Sequence, residues 1–266
     1  MTKPTTIVTH AGMYHADEVV AIELIRYAFD DYEIPVHRTF KVSDEMLNDT
    51  KVWVLDVGRV YNPLLKNFDH HQSDELPATN ILILDTLIHH GLICHKVGAK
   101  LGENFFNHVS DVDLGVKHKE AGVPCINSVI ACMNGSSSFY EACDIVRVIL
   151  RGQINTAKMA VKGEESWDEL VKEQDAAYTG YLINENKGII PGWKKLALED
   201  GIEYLLTPNA RVEGHWQVIT RNEIAFPISE GEGQNFLHNN KFMAVYNSYG
   251  EALAHVRKML RDTLLS

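Results

Sequence analysis

The side chains able to do chemistry fall into a few short strings. Thr9-His10-Ala11-Gly12-Met13-Tyr14-His15-Ala16-Asp17-Glu18 carries two imidazoles and two carboxylates. Leu55-Asp56-Val57-Gly58 ends an apolar run in a carboxylate, and Phe68-Asp69-His70-His71 sets a polar triplet behind an aromatic ring. Imidazole mixed with carboxylate suits Mn²⁺, Fe²⁺ or Zn²⁺, whereas Ca²⁺ takes all-oxygen shells. His10, His15, Asp17, Asp56, His70 and a later aspartate are more ligands than one ion needs. Two ions about 3.5–4 Å apart, sharing a carboxylate, would use them all, generating hydroxide near neutral pH and offsetting charge on a phosphoryl group.

Each group alone has a plainer explanation. Asp17 and Glu18 suit the first turn of a helix. Asp56 would serve to cap a turn before Gly58, and His70-His71 would serve as a solvated loop. His37, His108 and His255 read as surface or packing histidines, and His89-His90 beside Gly91 matches the end of a helix. The pattern gains meaning from the elements that position it.

Residues 6–9 read as a strand stopping at His10, and residues 19–25 as a buried helix. Strands follow at 36–40 and 51–58, then helices at 80–90 and 97–108. That order predicts an α/β fold with a mostly parallel sheet flanked by helices. In such a sheet, residues just past the strand C-termini converge on one crevice. Residues 137–182 have a helical pattern, with Phe139, Cys143, Val146 and Leu150 on one face and a polar break at Gly163-Glu164-Glu165. Strand-like pieces at 188–193, 204–206 and 216–220 precede a terminal helix at 250–265. The expected organisation is a metal-binding catalytic domain at 1–136, a helical connector at 137–184 and a smaller C-terminal α/β substrate-binding domain at 185–266.

Composition bounds the function. At 266 residues and 45% hydrophobic, the chain can build one large domain or two ordinary ones. No run of apolar residues reaches membrane-spanning length, and the opening Met1-Thr2-Lys3-Pro4 lacks the apolar core of a signal peptide, so a cytoplasmic protein is expected. Cys94, Cys125, Cys132 and Cys143 form no C-x-x-C pair and are expected as buried free thiols. With 25 cationic and 36 anionic side chains the net charge is -11, and no Lys/Arg run stands out. That argues against duplex nucleic acid as a partner but leaves room for a short, metal-bound phosphate ester.

The triplet Asp69-His70-His71, with Asp56 at a strand end and a His/Asp loop after strand one, resembles the DHH phosphoesterase superfamily. The fuller strings 9–18, Leu55-Asp56-Val57-Gly58-Arg59-Val60-Tyr61-Asn62-Pro63 and Phe68-Asp69-His70-His71-Gln72 are similar to its melanocyte-proliferating-gene branch. Members are often described as metal-dependent protein hydrolases, and the branch is associated with 3'-5' RNA exonuclease activity. The resemblance implies a metal-dependent phosphoesterase with two divalent cations, Mn²⁺ foremost and Mg²⁺, Fe²⁺ or Zn²⁺ as alternatives. His10, His15 and Asp56 would hold one ion; Asp17, Asp56, His70 and a fourth-motif aspartate would hold the other. Ser110-Asp111-Val112-Asp113-Leu114-Gly115 resembles that fourth motif, with Asp113 the better match and Asp111 the alternative.

By the same resemblance, His71 would face the substrate phosphate and act with Asp56 and His70 in catalysis. Residues 189–194 and Phe236-Leu237-His238 look like later branch segments, which makes His238 a candidate substrate contact. Arg211 and Arg221 join it on charge alone. The chain departs from the branch where Phe242-Met243-Ala244-Val245 replaces a glycine pair and where 229–233 is short. The expected partner is a small phosphate ester or short single-stranded oligonucleotide, with a homo-oligomer left open. The competing readings are a phosphomonoesterase or pyrophosphatase-like hydrolase, and a non-catalytic metal-binding module.

Overall fold

The computed structural model describes residues 1–265 other than 121, 175 and 187, with 177, 178, 264 and 265 described by backbone alone. The chain divides into two compact units, Met1–Lys158 and Met159–Ser266.

The first unit opens with β1 (Thr6–His10), α1 (Ala16–Ala28), β2 (Val36–Thr39), α2 (Asp44–Asn48) and β3 (Val52–Leu55). The hairpin β4 (Tyr61–Asn62) and β5 (Asn67–Phe68) follows, then α3 (Thr79–His89) and α4 (His95–Leu101). A π-helical turn (Gly102–Phe106) leads into α5 (Asn107–Asp113) and then α6 (Ile126–Met133). The sheet order is β2-β1-β3-β5-β4, parallel throughout except for the antiparallel β4 edge. Ile7, Val8, Trp53, Val54 and Leu55 are fully buried, as expected of parallel strands covered on both faces. Helix α1 is buried along most of its length and packs against α3, α5 and α6. The helix expected at 97–108 is instead three pieces, because the π-helical turn shifts the register between α4 and α5.

Helix α7 (Phe139–Gln174) contains the boundary between the units. It runs unbroken through Gly163, where a polar break was expected. A Cβ on Gly163 would lie 2.5 Å from the Pro191 carbonyl oxygen, so this residue answers to close backbone approach. The second unit continues with α8 (Ala176–Thr179), β6 (Tyr181–Ile183), α9 (Trp193–Glu199), β7 (Tyr204–Pro208), β8 (Trp216–Thr220), β9 (Gln234–Leu237), β10 (Met243–Tyr246) and α10 (Tyr249–Leu265). Two expectations fail here. Residues 181–183 are a strand, because the parallel pairing with β7 overrides the helical pattern. Residues 188–193 are no strand: Pro191 lacks an N–H, and Gly192 at φ 78 turns the chain into α9.

The second sheet has the order β6-β7-β8-β10-β9, antiparallel beyond β7. Alternation along β7 feeds two cores. Tyr204 and Leu206 pack with Ala252, Val256 and Met259 of α10; Leu205 packs with Trp167, Trp193 and Ala197. Of the cysteines, Cys143 alone is buried, while Cys94 and Cys132 are exposed and Cys125 is intermediate; all four are free. The expectation of buried thiols therefore holds at one position. None of the described helices is long and apolar enough to cross a membrane.

Candidate metal centre

His10 is the last residue of β1, Asp56 follows β3, and Asp69-His70-His71 follows β5. Because these strands are parallel, all three segments emerge at one edge of the sheet. Helix α1 starts there too, bringing His15 and Asp17, and α5 ends there, bringing Asp113. Three overlapping triads result: His10, His15 and Asp56; Asp56, His70 and His71; His15, Asp17 and Asp113. Within each, the ligand atoms lie within 4.8 Å of one another.

Asp56 sits between the first two triads. Its Oδ2 is 3.4 Å from His10 Nε2 and its Oδ1 is 3.2 Å from His70 Nε2. His70 Nε2 is also 3.6 Å from Asp113 Oδ2 and 4.0 Å from Asp17 Oδ2. Asp111 points elsewhere, pairing with Lys117 at 2.8 Å. Asp56 has φ 56, a left-handed conformation uncommon outside glycine, and such strain concentrates at functional sites.

The His10–His15 loop is held from two sides. The Arg38 guanidinium donates to the carbonyls of His10 and Gly12, both at 3.1 Å. The Asn134 side-chain amide donates to Tyr14 O at 2.8 Å and accepts from Tyr14 N at 3.0 Å. Glu18, fully buried, accepts from the Thr9 hydroxyl and from His15 N at 3.0 Å. It also reaches His10 Nε2 at 3.1 Å. His10 Nδ1 lies 3.1 Å from Ala11 O; donation there leaves the Nε2 lone pair facing the cluster. His71 Nδ1 lies 2.8 Å from Asp69 Oδ1, and Asp69 Oδ2 accepts from Arg59 N at 2.6 Å. An outer carboxylate that fixes a histidine's ring orientation is the usual second layer of a metal site.

Asp17 is fully buried, and both its carboxylate oxygens lack a hydrogen-bond partner. His10 Nε2, His70 Nε2 and Asp56 Oδ2 are likewise buried, and their close contacts within the cluster lack hydrogen-bond geometry. Burial, with the charges of Asp56 and Asp113, pushes the Asp17 carboxyl well above the ordinary range. Burial also raises Asp113, again with Asp56 contributing. Asp56 is held low: burial opposes its charge, but His10 and His70 overcome it. Burial likewise opposes protonation of His10, and Asp56 and Glu18 overcome it, lifting the imidazole to about 11. Buried carboxylates crowded together in this way are eased by a bound positive charge, which makes the cluster a candidate cation site. The donor set fits divalent transition metals.

The second unit carries the other expected site residues, Arg211, Arg221 and His238. Arg221 is engaged by Glu203 at 3.0 Å and lies over the Phe226 ring. Arg211 is exposed and lines a cavity of about 460 Å³ with His215, Gln217 and Asn235. The His238 ring lies 4.2 Å from that of Phe242, tilted by 49°, and its Nδ1 accepts from Asn240 N at 3.2 Å. Glu18, Arg38 and Asn134 escaped sequence reasoning as parts of the site. Glu18 had a local signal, its place next to Asp17 at a helix start. Arg38 and Asn134 act across 28 and 120 residues, and nothing local marks them.

A mostly parallel α/β sheet with a histidine–carboxylate cluster at its C-terminal edge defines the class: an α/β protein with a candidate site for divalent cations. The family model MYG1_exonuc, described as Uncharacterised protein family (UPF0160), matches residues 6–220, and the chain belongs to that family. It is similar to the MYG1 exonuclease of Bos taurus, 31% identical over 241 residues, covering 72% of this chain and 61% of the relative. It is similar also to the MYG1 protein of Chlamydia muridarum, 29% identical over 133 residues, 49% of this chain and 45% of the relative. The chain thus spans about half the length of the curated relatives it matches. Among solved structures, RecJ of Thermus thermophilus in complex with Mn²⁺ aligns at 14% identity over 96% of this chain and 52% of that one. The TM-score is 0.33.

Proposed function

We propose that the chain is a metal-dependent phosphodiesterase that shortens short single-stranded RNA or oligonucleotides from the 3' end. It uses two divalent cations, Mn²⁺ foremost, and works in the cytoplasm. One observation carries the reading: buried ligand atoms of His10, Asp17, Asp56 and His70, all without hydrogen-bond partners, meet in overlapping triads. The relatives named exonucleases support the choice of reaction.

His10, His15 and Asp56 would hold one cation, and Asp17, Asp56, His70 and Asp113 the other. When bound, such ions acidify water and offset the charge of a phosphoryl group. The protein's own groups do the rest. Asp56 offers an oxygen to each side and ties the two positions together. Asp69 fixes the His71 ring through Nδ1, leaving the half-exposed Nε2 edge to meet a phosphate oxygen. Arg38 and Asn134 keep the His10–His15 loop in register with Asp56. Arg211 and His238 of the second unit are the proposed contacts to the rest of the substrate.

The test is hydrolysis of a 5'-labelled single-stranded RNA of five to ten nucleotides. Mn²⁺ is expected to give a ladder of products shortened from the 3' end, and chelation is expected to stop it. Asp56→Asn should keep the fold and lower kcat/KM by about a hundredfold or more. Equal rates with and without chelator would remove the reading.

A further inference from the structure

Asp56, Asp69 and His71 open onto a cavity of about 470 Å³ whose other walls include Phe40, Lys41 and Arg59. Phe40 follows β2 with 82% of its surface exposed. Singly exposed apolar residues are ordinary on protein surfaces, and Leu64 and Ile224 are exposed to the same degree. Phe40 differs in facing the same cavity as the metal cluster. Its ring is also placed: a Cβ on Gly12 would lie 3.3 Å from Phe40 Cε1, so the phenyl rests against the His10–His15 loop. Gly12 has φ 93, a conformation that side chains disfavour, which keeps that seat open.

The charges point the same way. In a chain of net charge -11, Lys41 and Arg59 are exposed with no ion-pair partner among the described residues. Both stand at the mouth of an acidic, histidine-rich centre. Arg59 has φ 54, held there in part by the bond from its N–H to Asp69. An anionic floor for cations, two free cationic side chains and a bare aromatic face match a phosphate next to a planar heterocycle. The volume lies in the range of small-ligand sites.

We propose that this cavity is a nucleotide subsite. Phe40 stacks the base beside the scissile phosphate, and Lys41 and Arg59 contact the neighbouring, non-reacting phosphate. The proposal rests on the phosphodiesterase reading and assigns the residues that take the base and the neighbouring phosphate. Stacking is sequence-tolerant, because every base has a π-face.

The experiment is equilibrium binding, with Mn²⁺ present, of a phosphorothioate-linked pentanucleotide carrying 2-aminopurine at its 3' end. An abasic pentanucleotide of equal charge is measured beside it. Wild type is expected to prefer the base-bearing ligand, and Phe40→Ala to cut that preference by about tenfold or more. Phe40→Trp should restore it, with indole fluorescence quenched on binding. Lys41→Ala combined with Arg59→Ala should weaken both ligands and flatten the salt dependence. Equal weakening of both ligands by Phe40→Ala, no weakening, or no binding by wild type would overturn the subsite. If base-selective loss appears while no phosphodiester is hydrolysed, the subsite stands and the phosphodiesterase reading falls. If RNA is hydrolysed while Phe40→Ala keeps its base preference, the reverse holds.

Discussion

At the scale of single residues, Asp17 concentrates the electrostatic problem that the cluster poses. It is fully buried beside Asp56 and Asp113, and neither of its oxygens has a hydrogen-bond partner. An unpaired buried charge costs several kcal/mol. Its folded pKa is raised above the unfolded value of 3.8. The native state therefore binds the proton more tightly, and stability falls as pH rises from 3.8 through the folded value. His10, raised from 6.5 to about 11, adds a contribution that is full below 6.5 and lost as pH climbs through about 11. Chelated protein should thus melt at progressively lower temperature from weakly acid to alkaline pH. Asp17→Asn removes the first contribution and should raise the Tm of chelated protein at pH 7 by ~3 °C or more. In saturating Mn²⁺ the order should reverse, because the variant has lost a ligand. Identical melting of the two chelated proteins between pH 5 and 8 would contradict this account of Asp17. The proposed ligands could be singled out in the sequence because imidazoles and carboxylates at strand ends form short local strings. Arg38 and Asn134 could not, because their part in the site is a hydrogen bond to a loop remote in sequence.

At the scale of elements, what could be read depended on how far a pattern ran. Strand β3 is a continuous apolar run and β1 carries a β-branched run, Thr6 to Thr9, and such runs are visible without a structure. The hairpin of β4 and β5 has only two residues per strand, too few for any periodicity, yet β5 carries Asp69-His70-His71 to the sheet edge. In β6 the sequence pattern misled, since only its pairing with β7 makes it a strand. Gly163 shows the same limit inside a helix. Local propensity marks it as a weak point, but its place is set by Pro191, whose carbonyl oxygen would lie 2.5 Å from an added Cβ. Alanine would gain about 1 kcal/mol of helix propensity. It would also push backbone against backbone, a strain of about 1–3 kcal/mol. Gly163→Ala should therefore lower the urea midpoint of the second unit rather than raise it. Tryptophan fluorescence is the readout, since Trp167 and Trp193 lie in the adjoining core. A raised midpoint would mean that the helix tolerates the methyl group and that the close approach carries no weight.

At the scale of the whole molecule, the proposed ligands lie between His10 and Asp113, all within the first of the two units. Metal binding is linked to folding by mass action, so a hundredfold excess over Kd should stabilise the binding unit by about 2.7 kcal/mol. That corresponds to roughly hundredfold slower exchange for amides released only by unfolding of that unit. From the sequence the expected organisation is a domain at 1–136, a helical connector at 137–184 and a smaller domain at 185–266, because strand-like pieces resume from residue 188 after a long helical stretch. The sequence did not reveal that α7 contains the boundary, since the helical pattern runs on across Lys158 and the polar break comes later, at Gly163-Glu164-Glu165. Hydrogen exchange with and without Mn²⁺ separates the units directly. Protection should rise in β1, α1, β3 and α5, whose ends carry the ligands, and stay unchanged in β7, β8 and β10. Equal gains in both sheets would show that the cation acts through the molecule as one cooperative body or binds elsewhere. The placement of the metal centre in the first unit would then fail, whatever activity the protein displayed.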